Sequence, residues 1–122
     1  MREALLVAVL ALVASGAAGA APPAPGRYEA VLCVATQPRA EPSCGNVEAE
    51  LRSGGLLSVR VADIVYRLAL GRDQIEVATL HGTMQIDEFN APYEWLGETL
   101  RFSDLAKDVR YEVRLGNRLQ PR

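Results

Sequence analysis

Few residues in this chain are equipped for chemistry. His81 is the only histidine, Cys33 and Cys44 the only cysteines, and Lys107 the only lysine among 13 basic residues, set against 15 acidic ones. A side-chain nucleophile needs a base within hydrogen-bond reach and a third group to orient that base. None of Ser15, Ser43, Ser53, Ser58 or Ser103 stands in a Gly-x-Ser-x-Gly setting, and the chain holds no glycine-rich phosphate loop. His81 follows Ala78-Thr79-Leu80 and precedes Gly82, so it reads as a solvated residue of a hairpin turn with no partner beside it in sequence. Asp87 and Glu88 are the densest acidic pair. Neighbouring residues of a strand point to opposite faces, so a two-carboxylate site would need one of them to meet Asp63, Glu94, Glu98 or Asp104 across a sheet. The sequence therefore leads us to expect no enzyme: no catalytic residues, no metal ligands and no cofactor.

The two cysteines lack the spacing of a redox pair and lack histidine partners for a metal. Between them, residues 34–43 contain Pro38 and Pro42 and read as a loop joining two strands. A structural disulfide is expected, contributing on the order of 3 kcal/mol by restricting the unfolded chain.

If the protein recognises something, aromatic residues and loops are the places to look. The segment Phe89-Asn90-Ala91-Pro92-Tyr93-Glu94-Trp95 carries the only tryptophan. Rigid aromatics near a loop make good binding anchors. Asn90-Ala91-Pro92 is expected to be that loop, and Tyr93 and Trp95, which share one strand face, are expected to pack into the core first. His81, Phe89, Asn90, Tyr93 and Trp95 form the candidate recognition surface, with the disulfide-tethered loop 34–43 beside it.

The elements that would hold these residues are strands. Val47, Ala49 and Leu51 alternate with Glu48, Glu50 and Arg52; Val109, Tyr111, Val113 and Leu115 alternate with Arg110, Glu112 and Arg114. Period two marks a strand with one face in a core and one in water. Looser alternation follows in 28–34, 57–61, 66–70, 75–77 and 84–87, and 93–102 supplies at least one more strand, broken near Gly97. Turn signals separate these runs at Ser53-Gly54-Gly55, Gly71-Arg72-Asp73 and His81-Gly82-Thr83. Residues 103–108 have room for one helical turn, capped by Ser103. The expected fold is all-β: a small antiparallel barrel or sandwich of seven or eight short strands. A barrel is favoured, because successive hairpins give up-and-down order and closure removes exposed edges. One pattern recurs. Val59-Arg60-Val61-Ala62-Asp63-Ile64 resembles Leu100-Arg101-Phe102-Ser103-Asp104-Leu105, and the strands after them, from Tyr66 and from Tyr111, both end Leu-Gly. Asp63 and Asp104 are expected to set turns by bonding nearby backbone.

The N-terminus defines the compartment. Met1-Arg2-Glu3, an apolar run from Ala4 to Ala14 and the tail Ala18-Gly19-Ala20 have the three regions of an export signal. Residues 1–20 read as a cleaved signal peptide, 21–26 as a proline-rich leader and 27–118 as a single domain, periplasmic or secreted, with no membrane span after cleavage. A net charge of −2 with no basic stripe gives no footprint for nucleic acid. In size, export signal and single disulfide the chain resembles small exported β-barrels that inhibit lysozyme or proteases; the resemblance is one of architecture. The expected function is a non-enzymatic binding module for a protein or envelope partner. The alternatives are inhibition of a hydrolase, which the resemblance implies, and a barrel that holds a small ligand.

Overall fold

The computed structural model describes residues 23–36 and 41–120. The expected signal peptide, the first two leader residues and residues 37–40 of the disulfide loop lie outside the described residues. Eight strands follow one another: β1 Gly26–Ala35, β2 Ser43–Arg52, β3 Leu56–Val61, β4 Ile64–Leu70, β5 Gln74–His81, β6 Met84–Leu96, β7 Thr99–Asp104 and β8 Val109–Arg118. Each pairs antiparallel with the next, and β8 returns to pair with β1, so the sheet closes as an up-and-down barrel. Of the two architectures the alternation allowed, the barrel is the one formed.

Period two decides what faces inward. Leu57, Val59, Leu68, Val77 and Leu100 are fully buried, and Ala49, Ile75, Ala91, Val113 and Leu115 are nearly so. With this many strands the lumen is about wide enough for side chains to fill it. The other face of the strands carries Glu29, Glu48, Arg60, Arg67, Glu76, Arg101, Glu112 and Arg114, all exposed. A lipid-facing barrel shows an apolar outer band; this wall is charged. Arg101 lies between two acids in register, 3.9 Å from Glu94 on β6 and 3.3 Å from Glu112 on β8. Among the described residues no helix is long and apolar enough to cross a membrane.

Two local expectations need correction. Asn90, Ala91 and Pro92 are not a loop but the middle of β6, paired with Glu76, Ile75 and Gln74 of β5. Their turn-forming character is overridden because the flanking odd-numbered residues, Phe89 to Trp95, all have a core to face. Residues 105–108 form a turn without a helix. Its bond comes from Asp104, not Ser103: the Lys107 backbone N–H donates to Asp104 Oδ1 at 3.3 Å. Ser103 lies in the strand, on the outer wall.

Tight connections impose backbone demands. Residues 62–63, 82–83 and 97–98 are two-residue hairpin loops, and the first residue of each has positive φ: Ala62 at 54°, Gly82 at 63° and Gly97 at 64°. Gly55, with φ of 87°, is held more tightly. Its carbonyl accepts the Leu70 N–H at 2.7 Å, and a Cβ there would come within 2.9 Å of the Leu70 carbonyl oxygen.

Cys33 and Cys44 are direct partners across β1 and β2 and form the expected disulfide, with Cα atoms 4.0 Å apart and a sequence separation of 11. Replacing both by serine should lower unfolding free energy by about 3 kcal/mol, read by urea denaturation, and leave the far-ultraviolet circular dichroism of the barrel unchanged. Loss of the β signal in native buffer would show that the bridge is required for folding. Gly82→Ala should cost about 1 kcal/mol, because its Cβ would meet open space and only φ is strained. Gly55→Ala should cost clearly more, since its Cβ would strike backbone. Equal losses would contradict this.

Candidate functional site

The two ends of the barrel differ. One end holds the β2–β3, β4–β5 and β6–β7 connections together with the start of β1 and the end of β8. There Tyr93 and Trp95 pack against the core, and the Tyr93 hydroxyl donates to the Gly71 carbonyl. The other end holds the disulfide, the turns at 62–63 and 82–83, and residues 105–108. We call this end the rim.

The innermost layer below the rim mixes rings with oxygen-bearing groups. Register sets Tyr66 opposite Thr79, and Thr79 opposite Asp87. Tyr111 stacks on Phe102 with ring centres 4.9 Å apart and on Phe89 at 6.0 Å, and meets Tyr66 edge-on at 6.1 Å. Tyr66 and Tyr111 are the tyrosines of the repeated motif, so the repeat brings two equivalent residues together across the lumen. The paired aspartates of that motif diverge. Asp63 is exposed in a two-residue turn, whereas Asp104 is 3 % exposed at the end of β7, where a longer connection has moved it into the strand. Thr79 is the other buried polar residue among the described residues.

Asp87 reaches this layer through a β-bulge. Leu80 pairs with Gln85 but Thr79 pairs with Asp87, which leaves Ile86 as the extra residue. The slip breaks the alternation read from sequence: Ile86, on the expected core face, is the extra residue and 54 % exposed, Met84 is 64 % exposed at the end of the strand opposite His81, and Asp87 falls in phase with Phe89 on the inner face. Lys107 Nζ donates to Asp87 Oδ2 at 2.8 Å and ties the 105–108 turn to β6. That bond holds the Asp87 carboxyl below the usual carboxylate range and lifts the Lys107 ammonium above its own. Burial raises both tyrosines. Tyr111 is pushed up to about 12, with smaller contributions from Tyr66, Asp104 and Asp87.

Three large apolar side chains stand out in water around this rim, because Leu105, at 75 % exposure, joins Met84 and Ile86. A groove of about 570 Å³ runs down the adjoining outer wall past Leu105, Ser103, Pro92, Arg101 and Cys33. Among the described residues, no group of three or more His, Cys, Asp or Glu side chains is placed to hold a metal ion.

Of the candidate recognition residues, His81 and Asn90 are exposed. Phe89, Tyr93 and Trp95 pack against the core. His81 is at the rim, and Tyr93 and Trp95 are at the opposite end, so these five residues do not share one surface. Sequence reasoning missed the bulge, and with it Met84, Ile86 and the Asp87–Lys107 pair. The only signal for the bulge was the clash between a core-facing Ile86 and a core-facing Phe89 in one strand. No family model, curated protein or solved structure matches the chain.

The tyrosines give this layer a pH signature. A raised phenol pKa means the fold favours the protonated ring, so the contribution is complete below pH 10 and fades as pH climbs toward about 12. Wild-type stability, followed as the denaturation midpoint, should fall through this window, and Tyr111→Phe should flatten the fall. A variant with an unchanged alkaline profile would contradict the assignment.

Proposed function

We propose that this protein is an exported, non-enzymatic binding module of the cell envelope, and that it engages a protein partner with the disulfide end of its barrel. The observation that carries the reading is the convergence of Met84, Ile86 and Leu105, all more than half exposed, on one rim of a closed scaffold. Large apolar groups that a fold leaves in water together mark a surface meant to be covered. The lumen is filled by the barrel's own leucines and valines, which speaks for recognition outside rather than for a ligand within. A compartment outside the cytoplasm suits the disulfide. Inhibition of a hydrolase is a form of the same reading: Ala35 and Ser43, the strand ends beside Cys33–Cys44, are at this rim, and the segment joining them is the one that would enter a cleft.

The test compares two baits, the disulfide-bonded domain from residue 21 onward and its Met84→Ser/Leu105→Ser variant, in pull-downs from an envelope extract. Both residues are exposed, so the variant should keep its stability within about 0.5 kcal/mol. We expect a partner that the wild type recovers and the variant loses. A hydrolase in that position, inhibited stoichiometrically in an activity titration, selects the inhibitor form. Equal recovery by both baits removes the rim from the interaction, and failure of either bait to recover anything counts against the module.

A further inference from the structure

The pairing of β6 is unequal on its two sides. Toward β5 it runs from His81↔Met84 to Gln74↔Pro92. Toward β7 it covers four pairs only, from Leu96↔Thr99 to Tyr93↔Phe102. The two-residue loop at 97–98 makes Leu96↔Thr99 a hydrogen-bonded pair, so Glu94, Pro92, Asn90 and Glu88 direct their backbone groups to the β7 side. The next pair in that ladder would join Pro92 to Ser103. Proline has no N–H to give it, and the ladder ends there. β7 itself stops at Asp104, and the chain leaves through the 105–108 turn. Residues 84–91 of β6 therefore extend past their neighbour, and Glu88 and Asn90 present N–H and C=O groups along an edge that β7 does not cover. The outer groove, lined there by Pro92, Ser103 and Leu105, begins where the ladder stops.

Charge indicates what this edge would take. The carboxylates of Asp87 and Glu88 stand on this stretch of β6, and Lys107 is already held by Asp87. A second copy laid antiparallel on the same edge would set Asp87 and Glu88 against themselves. A basic strand would place cations beside Glu88 on the outer face and apolar side chains beside Phe89 on the inner one. We propose that the free edge of β6 binds a short extended segment of a partner protein, with basic and apolar residues alternating, as an added strand. This rests on the binding-module reading and gives that module the chemistry of its partner.

The experiment follows amide exchange by NMR in the disulfide-bonded chain, with an acetylated and amidated Lys-Val-Lys-Val-Lys-Val peptide as probe and its Glu-Val counterpart as control. In the free protein the Glu88 and Asn90 amides should exchange at least about tenfold faster than those of Asp87 and Phe89, which pair with β5. The basic peptide should slow Glu88 and Asn90 by about tenfold or more and leave Phe89 unchanged, and the acidic peptide should not. Asn90→Pro removes a donor from the free side only and should abolish binding. Glu88→Lys leaves the backbone untouched and should reverse the preference between the peptides, which keeps the test informative if the proline variant folds poorly. Glu88 and Asn90 amides already as slow as Phe89 would overturn the proposal, as would equal binding of both peptides. Protection that depends on protein concentration instead of peptide would also overturn it and assign the edge to a second copy. A partner lost by the Met84/Leu105 variant but indifferent to Asn90→Pro and Glu88→Lys would leave the module standing and remove the strand-addition mechanism alone.

Discussion

Everything inside this barrel depends on the antiparallel ladder between its first and last strands. Without β8 beside β1, the eight strands would be a meander with one apolar face in water and two open edges. With that ladder in place, Leu57, Val59, Leu68 and Val113 meet across a closed lumen, and the same closure turns the polar half of every strand outward. A domain of this size buries only about 60–65 % of its unfolded surface. Closure is thus what lets short strands make a core, and the Cys33–Cys44 bridge reinforces the hairpin that contains β1.

Much of this was legible from alternation. Where a strand is strictly periodic, as in 47–52 and 109–115, sequence alone assigned its inward face, and the turn residues between runs separated the strands. Asn90-Ala91-Pro92 misled, because local turn chemistry says nothing about the core that waits on either side. The bulge at Ile86 was illegible for a related reason. One inserted residue reverses the facing of everything before it, and the only trace in sequence is that two apolar sets in one strand fall out of phase. Since Ile86 and Asp87 owe their positions to that residue, the candidate site was the part of the molecule least accessible to reading. The disulfide and the Tyr66–Tyr111 correspondence were accessible, because cysteine count and internal repetition do not depend on phase.

The rim illustrates how a few irregularities create a surface on an otherwise uniform cylinder. The bulge exposes Ile86 and draws a carboxylate inward. A proline ends one ladder early, and a longer turn buries Asp104 where its counterpart Asp63 lies in water. Each change is local in sequence, and all of them fall at the same end. The opposite end shows less of this: Tyr93 and Trp95 pack against the core there, its turns are short, and Leu96 alone among its described large apolar side chains stands half exposed.

That asymmetry gives the molecule a handle and a head. The chain enters at Gly26 and leaves at Arg118 on the plain end, where the Arg118 guanidinium donates to the Pro25 carbonyl at 2.6 Å and the Leu119 N–H to the Arg27 carbonyl at 2.7 Å. The two strand ends are stitched side by side, as far from the rim as the barrel is long. Any tether joined at either point, whether a leader, a fusion tag or a surface linkage, grips the barrel from behind and presents the rim outward. The same adjacency makes the domain a natural subject for circular permutation, with new termini opened elsewhere and the old ones joined by a short linker.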